Sequence, residues 1–327
     1  MTPNRKIIGA DRWHDLSLAW LGMETAPAAF RRGGSRSIVV PLDGSRVAEH
    51  ALPLALAIAR RSGATIRLVH VHSFWESVPD PWHISLFDLR ITRFRKEKQA
   101  YLRNIAKRIG KTNQVTLSSV LIDSGEIAGS LCRSACGADL VVMATSGHGP
   151  WGRLLRGSVT DAVTQHLSCP AVMVRGYESP VDLTGDPLPQ HIVMPLSGTA
   201  SDQSVLASVA AFATLSGANL TLVNMPGCQQ QRGDTMKYLQ HIATRLNGLS
   251  HIGACRVAST GNTTKALLSY LQESDADMVA LATCARRQLS RLVRPEVADS
   301  VFTRCRLPML MLRSSHQDEP SARCPAL

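Results

Sequence analysis

The strongest constraint on this chain is that it contains the same pattern twice. Residues 38–45 read IVVPLDGS and residues 192–199 read IVMPLSGT, an offset of 154 residues between Pro41 and Pro195. The offset holds for Gly63-Ala64 against Gly217-Ala218, and for LVHV (68–71) against LVNM (222–225). Further on, GADLVVMAT (137–145) recurs as DADMVALAT (275–283) at an offset of 138, which also matches Asp161 to Asp299 and CPAVMVR (169–175) to LPMLMLR (307–313). The second copy is therefore 16 residues shorter, and the loss falls between its second and third strands. Order and spacing recur together, which marks a duplication rather than chance likeness. A length of 327 residues accommodates two domains of ordinary size.

Within each copy, short β-rich runs alternate with helical patterns. In the first copy, strands are expected at Ser37–Leu42, Thr65–Val71, Val115–Ile122, Leu140–Ala144 and Ala171–Val174. A helix is expected from the N-cap Ser45 to Gly63, with Val47, Ala51, Leu52, Ala55 and Ile58 on its apolar face. Further helices are expected over 84–110, Ile127–Cys136 and Ser158–Leu167. Continuous apolar strands separated by amphipathic helices predict an α/β fold of two tandem doubly wound domains. Each would be a mostly parallel five-stranded sheet with helices on both faces, in the Rossmann-like manner. The implied boundaries are an N-terminal extension over 1–35, a first domain over 36–176, a linker over 177–189, a second domain over 190–314 and a tail over 315–327. The stretch YESPVDLTGDPLPQ (177–190) has the proline, glycine and acid content of a linker.

In such a sheet, ligands sit at the carboxyl ends of the strands, where the strand order reverses. Three segments of the first copy arrive there: Pro41-Leu42-Asp43-Gly44-Ser45, the strand end at Val71, and MATSGHGPWGRLLRGSV (143–159). Glycines let backbone approach a phosphate, and the amides of a helix start attract the anion. A carboxylate in the same crevice can accept hydrogen bonds from ribose hydroxyls. Taken singly, Asp43 and Ser158 read as ordinary caps and the glycines as turn residues. Convergence of separated segments on one crevice favours a nucleotide site.

On these motifs the first copy resembles the universal stress protein family, over nearly all of residues 37–176. Its ATP-binding members carry G-x2-G-x9-G-[S/T], matched here by Ala144-x2-Gly147-x9-Gly157-Ser158, with alanine in place of the first glycine. The resemblance implies that Pro41, Asp43, Val71, Met143 and Ala144 surround the adenosine. It also implies that Gly147, Gly157, Ser158 and Val159 hold the phosphates. ATP, with or without Mg2+, or another adenine nucleotide is the expected ligand, and a stress-response regulatory or sensor protein is the expected role. No positioned base or nucleophile stands out, so catalysis is expected to be absent or limited to slow ATP hydrolysis. A nucleotidyl-transfer enzyme and a non-binding scaffold are the alternatives.

The second copy departs from the motif. Asp43 becomes Ser197, Val71 becomes Met225, Gly147 becomes Ala285, and Gly157-Ser158 becomes Pro295-Glu296. Proline removes an amide donor where a phosphate would be received, and glutamate adds repulsion. The nearby Arg286, Arg287, Arg291 and Arg294 leave open the binding of some other anion. Nucleotide is accordingly expected in the first domain only.

The net charge of +11 raises the question of nucleic acid, and much of it comes from a helical stretch bearing Arg90, Arg93, Arg95, Lys96, Lys98, Arg103, Lys107, Arg108 and Lys111. Without zinc-finger spacing or an aromatic RNA-binding signature, this reads as a solvated helix face. His70, His72 and His148 do not make a metal set, and eight cysteines without a CxxC pair read as reduced, mostly buried thiols. The opening residues lack an apolar leader and no stretch is long enough to span a bilayer, which predicts a cytoplasmic protein. For partners we expect an adenine nucleotide and a regulatory protein of unknown kind, with the apolar final strands AVMV (171–174) and MLML (309–312) pairing within the chain. A homodimer is left open alongside that pairing.

Overall fold

The computed structural model describes residues 36–73, 87–112, 114–124, 126–145, 167, 169–196, 200–224, 252–256, 263–283 and 300–313. These fall into two compact units, the first ending at Pro187 and the second beginning at Leu188.

In the first unit, β1 (Ser37–Pro41), β2 (Thr65–Ser73), β3 (Leu117–Ser124), β4 (Leu140–Thr145) and β5 (Ala171–Arg175) form a sheet of order β3-β2-β1-β4-β5. Every pairing is parallel. The central strands are sealed on both faces: Ile38, Val40, Ile66, Leu68, Leu140 and Val142 are buried on one face, and Val39, Val69 and Val141 on the other. That burial explains why they read as unbroken apolar runs rather than alternating ones.

The helix expected from Ser45 to Gly63 is two helices. α1 (Arg46–Glu49) starts at Ser45, whose Oγ accepts the Ala48 amide at 3.1 Å, and α2 (Leu52–Ser62) follows after a break at His50 and Ala51. Pro53 is the cause: it has no amide to donate, and its ring would clash with the carbonyl one turn earlier. Proline is tolerated instead in the first turn of α2. Gly63 closes α2 in the left-handed region at φ +73°, and its repeat partner Gly217 has φ +74°. The remaining described helices of this unit are α3 (Phe87–Thr112) and α4 (Ile127–Ser134). α3 buries Leu102, Ile105 and Ile109 against the sheet.

In the second unit, β6 (His191–Leu196), β7 (Asn219–Asn224), β8 (Ile252–Arg256), β9 (Met278–Thr283) and β10 (Met309–Arg313) repeat the order as β8-β7-β6-β9-β10, again all parallel. α5 (Ala200–Ser216), α6 (Thr263–Glu273) and a π-helical turn (Val301–Cys305) accompany them. One side chain shows the repeat at atomic level. Asp139 accepts the Ser37 amide at 2.8 Å, and Asp277 accepts the His191 amide at 3.0 Å. The recurring aspartate of GAD and DAD thus pins the start of each first strand.

The stretch expected as a linker does not leave the first unit after β5. The Gly176 amide donates to the Thr145 carbonyl at 2.8 Å, and its α-carbon packs against Val47 so closely that a β-carbon would lie 2.6 Å from Val47 Cγ1. Arg46 reaches the Glu178 carbonyl, the His50 ring lies edge-on to Tyr177, and Leu183 is buried. Arg60 then binds the Gly185 carbonyl at 2.7 Å and the Asp186 carboxylate at 3.0 Å. Residues 176–186 therefore form a strap along α1 and α2. Gly176→Val forces the strap off Val47 and is expected to cost about 1–3 kcal/mol, read as a lower urea midpoint of the first transition. An unchanged midpoint would show that the strap contributes no stability.

Candidate functional site

The crevice follows from the register. β1 pairs with β2 as far as Pro41 opposite Val69, but with β4 only as far as Val39 opposite Val141. Beyond that point the carboxyl ends of β1 and β4 part, at the position where the strand order reverses.

Of the nine predicted site residues, five lie on these ends. Pro41 and Asp43 follow β1, Val71 stands near the end of β2, and Met143 and Ala144 near the end of β4. Met143 is buried, Pro41, Val71 and Ala144 are half-buried, and Asp43 is exposed. Gly147, Gly157, Ser158 and Val159 lie outside the described residues, as do Ser197, Met225, Ala285, Pro295 and Glu296 of the second copy. The five residues expected around an adenosine thus stand on or just after three adjacent strands, and the four expected at the phosphates lie outside the described residues.

The turn after β1 is held locally. Asp43 Oδ1 accepts the Ser45 amide at 2.8 Å, and Gly44 takes φ +94°, which suits glycine alone. The helix cap is Ser45 rather than Asp43, whose carboxylate closes the turn ahead of the helix and stays exposed to solvent. Leu42 donates its amide to the Val69 carbonyl at 2.8 Å, which ties the turn to β2.

Sequence reasoning missed the polar groups around this turn. Lys98 of α3 donates from Nζ to the Asp43 carbonyl at 3.4 Å. Glu49 of α1 is buried, bound by Arg108 at 2.6 Å and by the Tyr101 hydroxyl at 3.4 Å. Burial and the Glu49 carboxylate push the Tyr101 hydroxyl well above its ordinary value, so it stays a donor. The signal was available: Phe94, Lys98, Tyr101, Ile105 and Arg108 recur at alternating steps of four and three and mark one helix face. The basic stretch of α3 is therefore only partly a solvated face.

His70 is 3 % exposed, and its Nδ1 has no hydrogen-bond partner. Its repeat equivalent, Asn224, is 1 % exposed, and its Oδ1 likewise has none. Both copies thus keep a buried polar group at the end of the second strand. Burial first, then the Lys98 charge and His72, lower the proton affinity of His70, outweighing the Leu42 backbone hydrogen bond and Asp43. Among the described residues no group of three His, Cys, Asp or Glu could hold a metal. Burial pushes the Cys169 thiol up to about 12 and raises Cys132 and Cys305 as well, which favours the protonated thiol at all three. Cys136 is disulfide-bonded, which corrects the reading of every cysteine as reduced. Among the described residues no helix is long and apolar enough to cross a membrane.

Comparison with known proteins agrees with this geometry. The profile of the Universal stress protein family matches residues 34–175. A universal stress protein of Thermus aquaticus, from the region 3′ of a QAH/OAS sulfhydrylase gene, is 33% identical over 142 residues, covering 43% of this chain and 98% of the relative. The chain belongs to the universal stress protein family. Its fold likeness runs past the first domain. A universal stress protein from Archaeoglobus fulgidus superposes with a TM-score of 0.68 at 15% identity, covering 89% of this chain and all of that one. A protein of unknown function from Pseudomonas aeruginosa superposes with a TM-score of 0.55 at 16% identity, covering 88% of this chain and 95% of its own.

The depressed His70 gives this universal stress protein a pH signature. The unfolded chain takes up the imidazole proton as pH falls through about 6.5, while the folded chain resists it to lower pH. Stability present above that value is lost on acidification. Between about pH 7 and pH 5 the urea midpoint should fall more steeply in the wild type than in His70→Asn, which borrows the second copy's residue. Parallel profiles would contradict the assignment.

Proposed function

We propose that this universal stress protein binds ATP in its first domain and acts as a stress-response regulator or sensor, with occupancy read by a protein partner. The observation that supports this best is the placement of Asp43. It stands exposed where β1 and β4 part, and Pro41, Val71, Met143 and Ala144 lie toward the carboxyl ends of the same three adjacent strands. An exposed carboxylate at an edge that also carries buried and half-buried apolar residues suits a ribose beside a purine base. Gly147, Gly157, Ser158 and Val159 complete the family's phosphate-binding spacing in sequence, with backbone amides and one hydroxyl as donors.

The same reasoning leaves the second domain empty of nucleotide. Pro295 removes a donor and Glu296 adds negative charge at the position of Gly157-Ser158. The protein works by binding rather than by chemistry, with ATP hydrolysis slow at most.

Asp43→Ala should weaken adenosine and ATP alike, each by about tenfold or more, equivalent to ~1.4 kcal/mol. Gly157→Pro should weaken ATP and leave adenosine nearly unchanged. Calorimetric titration of both ligands against both variants checks this. Undiminished adenosine binding by Asp43→Ala would show that the carboxylate does not hold the ribose.

A further inference from the structure

α3 reaches the carboxyl end of three strands with side chains of a single stretch. The Phe94 ring stacks on His72 near the end of β2, with centroids 5.7 Å apart and planes inclined by 22°. Arg95 Nε binds Asp123 Oδ2 at 2.9 Å near the end of β3. Lys98 Nζ meets the Asp43 carbonyl at 3.4 Å after β1. One turn and more further on, Tyr101 and Arg108 converge on Glu49 of α1. The helix is thus fastened to β2, β3, α1 and the turn bearing Asp43.

We propose that Lys98 is a positioning residue of the nucleotide site, holding the Asp43–Gly44 peptide in the one orientation that presents the Asp43 carboxylate to the crevice. This rests on the nucleotide reading above. Two independent constraints meet at Gly44. Its φ of +94° is closed to ordinary side chains, and a β-carbon there would stand 3.0 Å from Lys98 Nζ. Glycine is thus required for the backbone turn, and a β-carbon there would also push the ammonium back by a few tenths of an ångström. A peptide flanked by glycine turns over readily unless its carbonyl is engaged, and a hydrogen bond from a charged donor is about twice as strong as a neutral one. The preceding residue, Leu42, is fixed by the hydrogen bond its amide donates to the Val69 carbonyl. Between a fixed Leu42 and a capped α1, the Asp43 carboxylate accepts the Ser45 amide and Lys98 adds a charged donor to the Asp43 carbonyl. Loss of the ammonium leaves the turn held by the Ser45 amide alone and loosens the presentation of the carboxylate to the ribose, while the strand core stays as it is.

The test is adenosine and ATP titration of the full chain, alongside Lys98→Met and Lys98→Arg, with ligand-free melting measured for each. Lys98→Met should lose about tenfold in affinity for both ligands with ligand-free melting nearly unchanged, and Lys98→Arg should recover most of the loss. Equal loss for adenosine and ATP marks positioning of Asp43, since a direct phosphate contact would penalise ATP alone. If Lys98→Met does not fold, Lys98→Gln is read in the same way. Wild-type affinity in the uncharged variant, loss confined to ATP, or a loss that arginine does not recover overturns the role given to Lys98 and leaves the nucleotide reading standing. Absence of adenosine and ATP binding by the wild type overturns both.

Discussion

Parallel pairing of β1 with β2 on one side and β4 on the other is the constraint from which the rest of the first domain follows. Parallel strands bring all their carboxyl ends to one edge, and each must be joined to the next by a crossover, so helices cover both faces. β1 stays with β2 for the length of its run but leaves β4 after Val39. That early parting opens the edge at one place, and the residues that follow β1 fill its rim. The second unit repeats the arrangement: β6 stays with β7 as far as Leu196 opposite Asn224 but with β9 only as far as Val193.

The polar groups at this edge are held at some cost to stability. A buried polar atom without a partner costs about 1–3 kcal/mol, and His70 Nδ1 is such an atom beneath the turn. Gly44 adds a backbone state that ordinary residues avoid. Compensation comes from the fully buried apolar strands and from α3, whose apolar positions Leu102, Ile105 and Ile109 bind it to the sheet while its polar ones fasten the strand ends. Residues that break local rules at a single edge, supported from a regular core, are what a binding site leads one to expect.

Much of this was legible because the duplication tests itself. A motif that recurs at a fixed offset, such as GAD against DAD, has to do the same work twice, and Asp139 and Asp277 do. Strand runs were readable because burial on both faces leaves an uninterrupted apolar signature. The break between α1 and α2 was equally present in Pro53 but was overridden by the apolar period running through it. Other features depend on side chains meeting across long stretches of sequence. Lys98 with Asp43, Arg108 with Glu49, and Arg60 with Asp186 are such pairs. The docking of the linker onto the first unit was hidden for the same reason: proline, glycine and acid suit a free linker and a docked one equally well, and the arginines of α1 and α2 decide between them. The disulfide at Cys136 carries no spacing signature in the sequence.

The central proposal is one nucleotide site in the first domain and none in the second. Isothermal titration of the purified full chain with ATP, after removal of any nucleotide carried through purification, tests it most directly. The account predicts a stoichiometry of one ATP per chain. A stoichiometry of two, or the absence of binding, would contradict it.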